Sequence, residues 1–192
     1  ETIQYIAGFN INSLVDNTLV DINHLESHLK FDNIKDKLLK IDNKKFQIVF
    51  FAHEEHCVIQ EIIEKLIEYL QMPIVYFISE HDDIFKLPNY GTWKLLEDSF
   101  VLDKEKSFFV GNNYGLISKI RNTKKGFSDL DSSDMKFARN INIIFYTPEE
   151  YFQNIPKSMH ILLDTYGINP LRKSATFGAY RKSPPYKPIK RE

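Results

Sequence analysis

Short apolar runs alternate along the chain with stretches whose apolar residues recur at helical spacing. The first run, Thr2-Ile3-Gln4-Tyr5-Ile6-Ala7, is β-branched and aromatic and predicts a buried strand. It leads into Gly8-Phe9-Asn10-Ile11-Asn12-Ser13-Leu14-Val15, an apolar stretch interrupted by a polar, turn-forming set. Open α/β sheets place ligand sites at such strand ends. Residues 16–23 are polar and lack periodicity, which predicts a loop. A helix is expected over 31–41, with Ile34, Leu38 and Ile41 on one face. The run 46–52 is almost continuously apolar, as in strands covered on both faces by helices. Residues 54–71 predict an amphipathic helix with Val58, Ile62, Leu66 and Tyr69 on its apolar side, ended by Met72-Pro73. Strands are expected at 74–78, 107–111 and 141–146, and helices at 91–100, with Trp93, and 134–139. Thr147-Pro148-Glu149-Glu150 predicts a helix start with Thr at the N-cap and Pro at the first helical position. Strands alternating with helices imply a parallel sheet with right-handed crossovers.

The 192 residues, 43% hydrophobic and 14% aromatic, suffice for one substantial core. Seven Gly and eight Pro are too few for a disordered or fibrous chain. The single Cys57 excludes a disulfide framework and a cysteine-rich zinc site, and suits a reducing compartment. No apolar run reaches the roughly 18 residues of a membrane span, and no signal peptide is visible. Glu1 is not an initiator, so the chain reads as a fragment or a processed product. The net charge of −1 hides an asymmetry. Arg172, Lys173, Arg181, Lys182, Lys187, Lys190 and Arg191 stand near the end against the lone acid Glu192, leaving an acidic body.

The stretch Gly8 to Val15 resembles the nucleophile motif of the haloacid dehalogenase phosphatases, Phe-Asp-x-Asp-Gly-Thr-Leu, with each polar position altered. Further segments follow in one order: Phe108-Phe109-Val110-Gly111, Lys124-Lys125-Gly126-Phe127-Ser128, Asp134-Met135-Lys136-Phe137-Ala138-Arg139-Asn140 and Phe145-Tyr146-Thr147-Pro148-Glu149-Glu150-Tyr151-Phe152. Together with Pro88 and Gly91-Thr92-Trp93 they resemble the phosphatase domain of polynucleotide kinase 3′-phosphatase, which removes 3′-phosphates from broken DNA ends. No Gly-Lys-Ser/Thr loop for the kinase half occurs. The resemblance implies an α/β, three-layer Rossmannoid fold with a central parallel sheet and little or no cap domain. That domain is expected over 1–170. Its Asn10 strand should be central, between the strands ending at Ala52 and Gly111, with Asn10, Ala52 and Asn112 meeting in one cleft.

The same resemblance assigns roles to positions this chain has changed. Asn10 stands where the family has its nucleophilic Asp, and an amide is far less nucleophilic than a carboxylate. Asn12 stands at the acid/base Asp and cannot exchange a proton near neutral pH. Ala52 stands where a Ser or Thr hydroxyl would meet phosphate. Leu87 stands at the charge-balancing Lys, with Lys86 one residue away. Asn112 and Asn113 stand where magnesium carboxylates would be, and amide carbonyls without a carboxylate suit magnesium poorly. No cofactor is therefore expected, and the basic DNA-contacting loop that follows the second motif strand is missing. These residues imply a pseudophosphatase rather than an enzyme.

Other residues admit simpler readings. His53, Glu54, Glu55 and His56 have a zinc-like composition, but acids there equally complement a helix N-terminus. Glu80-His81-Asp82-Asp83 follows a strand end and reads as a solvated loop. Cys57 reads as a buried apolar residue. Trp93, Phe108, Phe109, Phe127 and Phe137 fit a core better than a base-stacking platform, and Asp134 reads as an N-cap.

The tail, 171–192, carries Phe177, Tyr180 and Tyr186 among its basic residues, with Pro184-Pro185 and Pro188, and is expected to be extended. Arg172, Lys173, Tyr180, Arg181, Lys182, Tyr186, Lys187, Lys190 and Arg191 are its candidate partner-binding residues. Basic residues interleaved with aromatics suit a nucleic acid or an acidic protein surface alike. The expected function is a structural or interaction subunit of a larger repair, transcription or viral assembly. The alternatives are a module that binds nucleic-acid ends without cleaving, and a divergent active polynucleotide 3′-phosphatase. An intracellular, preferably nuclear, location is expected, with no membrane partner.

Overall fold

A computed structural model describes residues 3–16, 22–53, 58–114 and 132–156. All of them belong to one of the two compact units into which the chain divides, Glu1–Tyr114 with Asp131–Ser158. The proposed domain boundary at 170 and the whole tail lie outside the described residues, as do Glu54, Glu55, His56, Cys57 and the segment 124–128 with Phe127.

The apolar runs form five parallel strands: β1 (Tyr5–Asn10), β2 (Phe46–His53), β3 (Ile74–Ser79), β4 (Phe108–Val110) and β5 (Ile144–Tyr146). Their order is β3-β2-β1-β4-β5, so β1 is central, between β2 and β4. The register sets Asn10 opposite Phe51 and Phe9 opposite Val110. Helices α1 (Ile34–Leu39), α2 (Val58–Leu70), α3 (Gly91–Ser99) and α4 (Ser133–Ile141) occupy the crossovers, and α5 (Pro148–Phe152) follows β5.

Alternation along each strand sends side chains to two different cores. Ala7, Phe9, Ile48, Phe50 and Val110 join one cluster with Ile34 and Leu38 of α1, Ile59, Ile62, Ile63, Leu66 and Leu70 of α2, and Phe152 of α5. On the opposite face Phe51 and Phe109 meet Phe137 of α4, with ring centroids 5.2–5.4 Å apart. Helices therefore cover both faces, giving the three-layer, haloacid-dehalogenase-like architecture. Aromatic edges meeting at such distances add about 0.5–1.5 kcal/mol per pair beyond their buried area.

Several details differ from the pattern reading. β1 runs three residues further, through Gly8-Phe9 to Asn10, because Gly8 admits the Phe109 ring: a Cβ there would lie 2.8 Å from it. On α2 the expected Ile62 and Leu66 are buried, whereas Val58 is 37% exposed and Ile59, Ile63 and Leu70 complete the buried face. Ile141 ends α4 rather than opening β5, since Asn142 adopts the left-handed conformation (φ 60°) that terminates the helix. Ser132, not Asp134, holds the N-cap position of α4. The expected start of α5 does form, with Thr147 and Glu150 in a reciprocal capping box and Pro148 at the first position.

Candidate functional site

The carboxyl end of β1 turns directly into a short 3₁₀ turn, Ile11–Ser13, with Asn10 as its cap. Asn10 Oδ1 accepts the backbone N–H of Asn12 at 3.0 Å. Its Nδ2 is then directed to Asp134, where it donates to Oδ1 at 2.8 Å. A carboxylate can only accept, so this orientation of the amide is the one the pair requires. The other oxygen, Oδ2, accepts the N–H of Asn113 at 3.0 Å. Ser13 Oγ donates to the Val110 carbonyl at 3.4 Å, tying the turn to the end of β4.

Asp134 is fully buried, on the face of the sheet that α4 covers. It gets there because Gly111 has no side chain: a Cβ at that position would sit 2.4 Å from Asp134 Cβ and 2.6 Å from Oδ2. The sequence pattern had made Asp134 a cap for its own helix; its hydrogen bonds instead link β1, the residues after β4 and α4. The signal was present as Gly111 directly after an apolar strand, but nothing local pairs it with Asp134.

Asn10 and Asn113 thus meet on one carboxylate, with Asn12 and Asn112 adjacent in the chain. The side-chain carbonyl oxygens of Asn12 and Asn112 are buried without a hydrogen-bond partner. A buried, unmatched acceptor costs about 1–3 kcal/mol. The unmatched carbonyl oxygens can accept hydrogen bonds, but no carboxylate stands at the end of β1. Magnesium, which the family resemblance implies, does not fit this donor set. The ion takes hard, preferably anionic oxygens in octahedral array. Among the described residues the carboxylate at this site is Asp134, which already accepts two N–H donors, one of them the Asn10 NH₂. Among the described residues no three His, Cys, Asp or Glu side chains gather for any other metal.

Ala52, next along β2 to the Phe51 that pairs with Asn10, lines with Leu87 a cleft of about 330 Å³ beside the ends of β2 and β3. Phe51, Phe77, Ile78, Ser79, Thr92 and Leu95 also line it, with Phe85, and neither Phe85 nor Leu95 carries a local sequence signal for a site. Lys86, next to Leu87, is taken by Asp82, whose carboxyl that hydrogen bond holds below the usual carboxylate range. His53 hydrogen-bonds through Nδ1 to the Ser79 carbonyl (2.7 Å), which joins the ends of β2 and β3. Its zinc-like neighbours Glu54, Glu55 and His56 lie outside the described residues, as do the nine tail residues named above, Arg172, Lys173, Tyr180, Arg181, Lys182, Tyr186, Lys187, Lys190 and Arg191.

The family Polynucleotide kinase 3 phosphatase matches residues 15–152. An uncharacterized 20.8 kDa protein from the FGF-VUBI intergenic region of Autographa californica nuclear polyhedrosis virus is 30% identical, over 61% of this chain and 67% of its own length. Polynucleotide 3′-phosphatase ZDP of Arabidopsis thaliana is 29% identical over 80% of this chain, and a putative bifunctional polynucleotide phosphatase/kinase of Acanthamoeba polyphaga mimivirus 28% over 72%. The chain spans only 24% and 40% of the lengths of those two relatives. Among solved structures, D,D-heptose 1.7-bisphosphate phosphatase from B. bronchiseptica superposes with a TM-score of 0.54 at 10% identity, covering 89% of this chain and 100% of that one. A putative HAD-like phosphatase from Mesorhizobium loti gives 0.51 at 11%, covering 74% and 70%. At such identities the likeness concerns the fold alone.

Proposed function

This chain belongs to the polynucleotide kinase 3′-phosphatase family, and from that premise we propose that it has kept the family's architecture and lost its reaction. In this reading it serves as a structural or interaction subunit of a larger assembly, in a repair or transcription complex or a viral particle. The observation that carries the proposal is the Asn10 amide bonded to Asp134. Phosphoryl transfer to an aspartate needs an ionised carboxylate aimed at phosphorus. Asn10 is uncharged, and its NH₂ is spent on an internal acceptor. Asn12 offers no proton to a leaving group. Ala52 and Leu87 bring neither a hydroxyl nor a cation to a phosphate. Magnesium and other cofactors are dispensable on this account.

The test is hydrolysis of a 3′-phosphorylated oligonucleotide and of an aryl phosphate, each with and without magnesium. General acid–base catalysis alone contributes about 10²–10⁴-fold, so the combined losses leave no measurable turnover. Magnesium-dependent turnover abolished by Asn10→Ala would falsify the proposal. A second reading, recognition of nucleic-acid ends without cleavage, draws support from the basic and aromatic residues at 172–191. An intracellular, nuclear location is part of the proposal under either reading. Among the described residues no helix is long and apolar enough to cross a membrane.

A further inference from the structure

We infer that the cleft beside β2 and β3 is a docking site for a basic protein segment bearing an aromatic or large apolar side chain. This rests on the interaction-subunit reading and names the surface and the partner chemistry.

The cleft floor is apolar: Phe51, Ala52, Phe77, Ile78 and Leu87. Two more of its residues, Phe85 and Leu95, are 39% and 42% exposed, and Ile84 beside them is 65% exposed. Isolated exposed apolar residues are ordinary, but Phe85 and Leu95 both line one cleft, which makes its apolar wall accessible to a partner. The polar groups of the wall are largely engaged within it. Thr92 Oγ1 donates to the Phe85 carbonyl (2.9 Å), Ser79 Oγ to the His81 carbonyl (3.1 Å), and the Phe85 N–H to Asp83 Oδ1 (2.8 Å). The Gly91 N–H donates to the Ile84 carbonyl at 2.9 Å, and Asn89 Nδ2 to the Asp83 carbonyl at 2.7 Å. These bonds hold the 80–91 loop in shape, so a ligand finds the cleft preformed and meets little ordering cost.

Charge then selects the occupant. Glu80 and Asp83 line the cleft, and both are exposed. The loop's basic residue, Lys86, is bound by Asp82. The rim is negative, which opposes a phosphate or a nucleic-acid backbone and favours Lys or Arg flanking an apolar anchor. A large aromatic side chain buried in such a preformed pocket is the usual anchor of an interface.

The experiment is fluorescence anisotropy of a labelled peptide, Ala-Arg-Lys-Phe-Arg-Lys-Ala, titrated with the full chain. Saturable binding is expected. It should weaken about tenfold when the peptide Phe becomes Ala, the scale of a lost anchor, and by a similar factor in Leu95→Lys. Glu80→Lys, at an exposed position outside the hydrophobic clusters, should also weaken it and flatten its salt dependence. Circular dichroism of each variant confirms that the fold is intact. The inference is overturned if the peptide does not bind saturably, if these variants bind it unchanged, or if a single-stranded oligonucleotide displaces it through the same residues. It is overturned too if sedimentation shows a dimer of the full chain that Leu95→Lys dissociates. Phosphatase assays on the same preparations read the parent proposal separately: turnover would sink that proposal, whereas absent peptide binding without turnover would sink only this one.

Discussion

Asn10 and Asp134, 124 positions apart in sequence, are joined by a 2.8 Å hydrogen bond at the carboxyl end of the sheet. The bond connects the central strand to a helix near the far end of the family domain. Two facing carboxylates in that place would need a proton or a cation between them. An amide facing one carboxylate needs neither, because its N–H groups supply the positive end of the contact.

Asn10→Asp is the direct test of that relationship. It should lower stability by about 2–3 kcal/mol, since a buried carboxylate loses its donor and gains a like charge. Millimolar magnesium should restore melting temperature in the variant and leave the unaltered chain unmoved. Thermal melts across a magnesium series decide it; a saturable rise in the unaltered chain counts against the amide's role.

Gly111→Ala should be more damaging than its size suggests. The added methyl meets Asp134 Cβ at 2.4 Å, well inside contact distance. Either α4 shifts or the Asn10 bond breaks, at a cost of about 1–3 kcal/mol. Urea unfolding should show a lower midpoint with an unchanged slope.

Thr147→Ala removes one half of the capping box, in which Thr147 Oγ1 accepts the Glu150 N–H at 3.2 Å. The expected loss is about 1 kcal/mol. Thr147→Ser keeps the hydroxyl and should recover most of it in the same urea titration.

Glu97 should contribute to acid sensitivity. Burial pushes its carboxyl up, but hydrogen bonds from Tyr90, Lys104 and Trp93 outweigh this and leave it below its ordinary value of 4.5. Trp93 Nε1 and Lys104 Nζ approach Oε1 at 2.8 and 2.9 Å. With the folded value depressed, the stabilisation is present above 4.5 and disappears as pH falls through the lower folded value. Glu97→Gln should therefore cost about 1 kcal/mol at neutral pH and little under acid conditions. Parallel stability measurements at pH 7 and pH 3 read the difference; equal losses at both would contradict it.

The tail separates the two functional readings. Oligonucleotide binding that depends on 172–191 should fall with salt at a slope near −0.9 per phosphate contacted. Docking on a protein surface through Tyr180 and Tyr186 should depend on salt weakly. Affinities of the full chain and of one ended after Pro170, each across a salt series, distinguish them. We expect the shallow dependence, because an acidic body repels a polyanion.

The strands and the main helices were legible because their signal is local. A continuous apolar run such as 46–52 can be satisfied only between two layers, and the capping residues of α5 lie within four positions of one another. The resemblance carried by Phe108–Gly111 and Thr147–Phe152 extended that reading to the place of β1 in the sheet. The limits of the same signal show at Ile141, where apolar character suits helix and strand equally and the left-handed Asn142 decides. They show again at Asp134, whose position near a helix start mimics a cap. Its real partners, Asn10 and Asn113, are chosen by chain crossovers and by the space that Gly111 leaves. The cleft of Phe85, Leu87 and Leu95 is of the same kind. Each residue alone reads as loop or helix surface, and only the packing of the 80–91 loop and α3 beside β2 and β3 turns them into one apolar wall. Sequence by itself determined where the chain is apolar and which groups it carries. Tertiary structure decided which of those groups meet, because contacts across many positions depend on the path of the intervening chain, which no local pattern encodes.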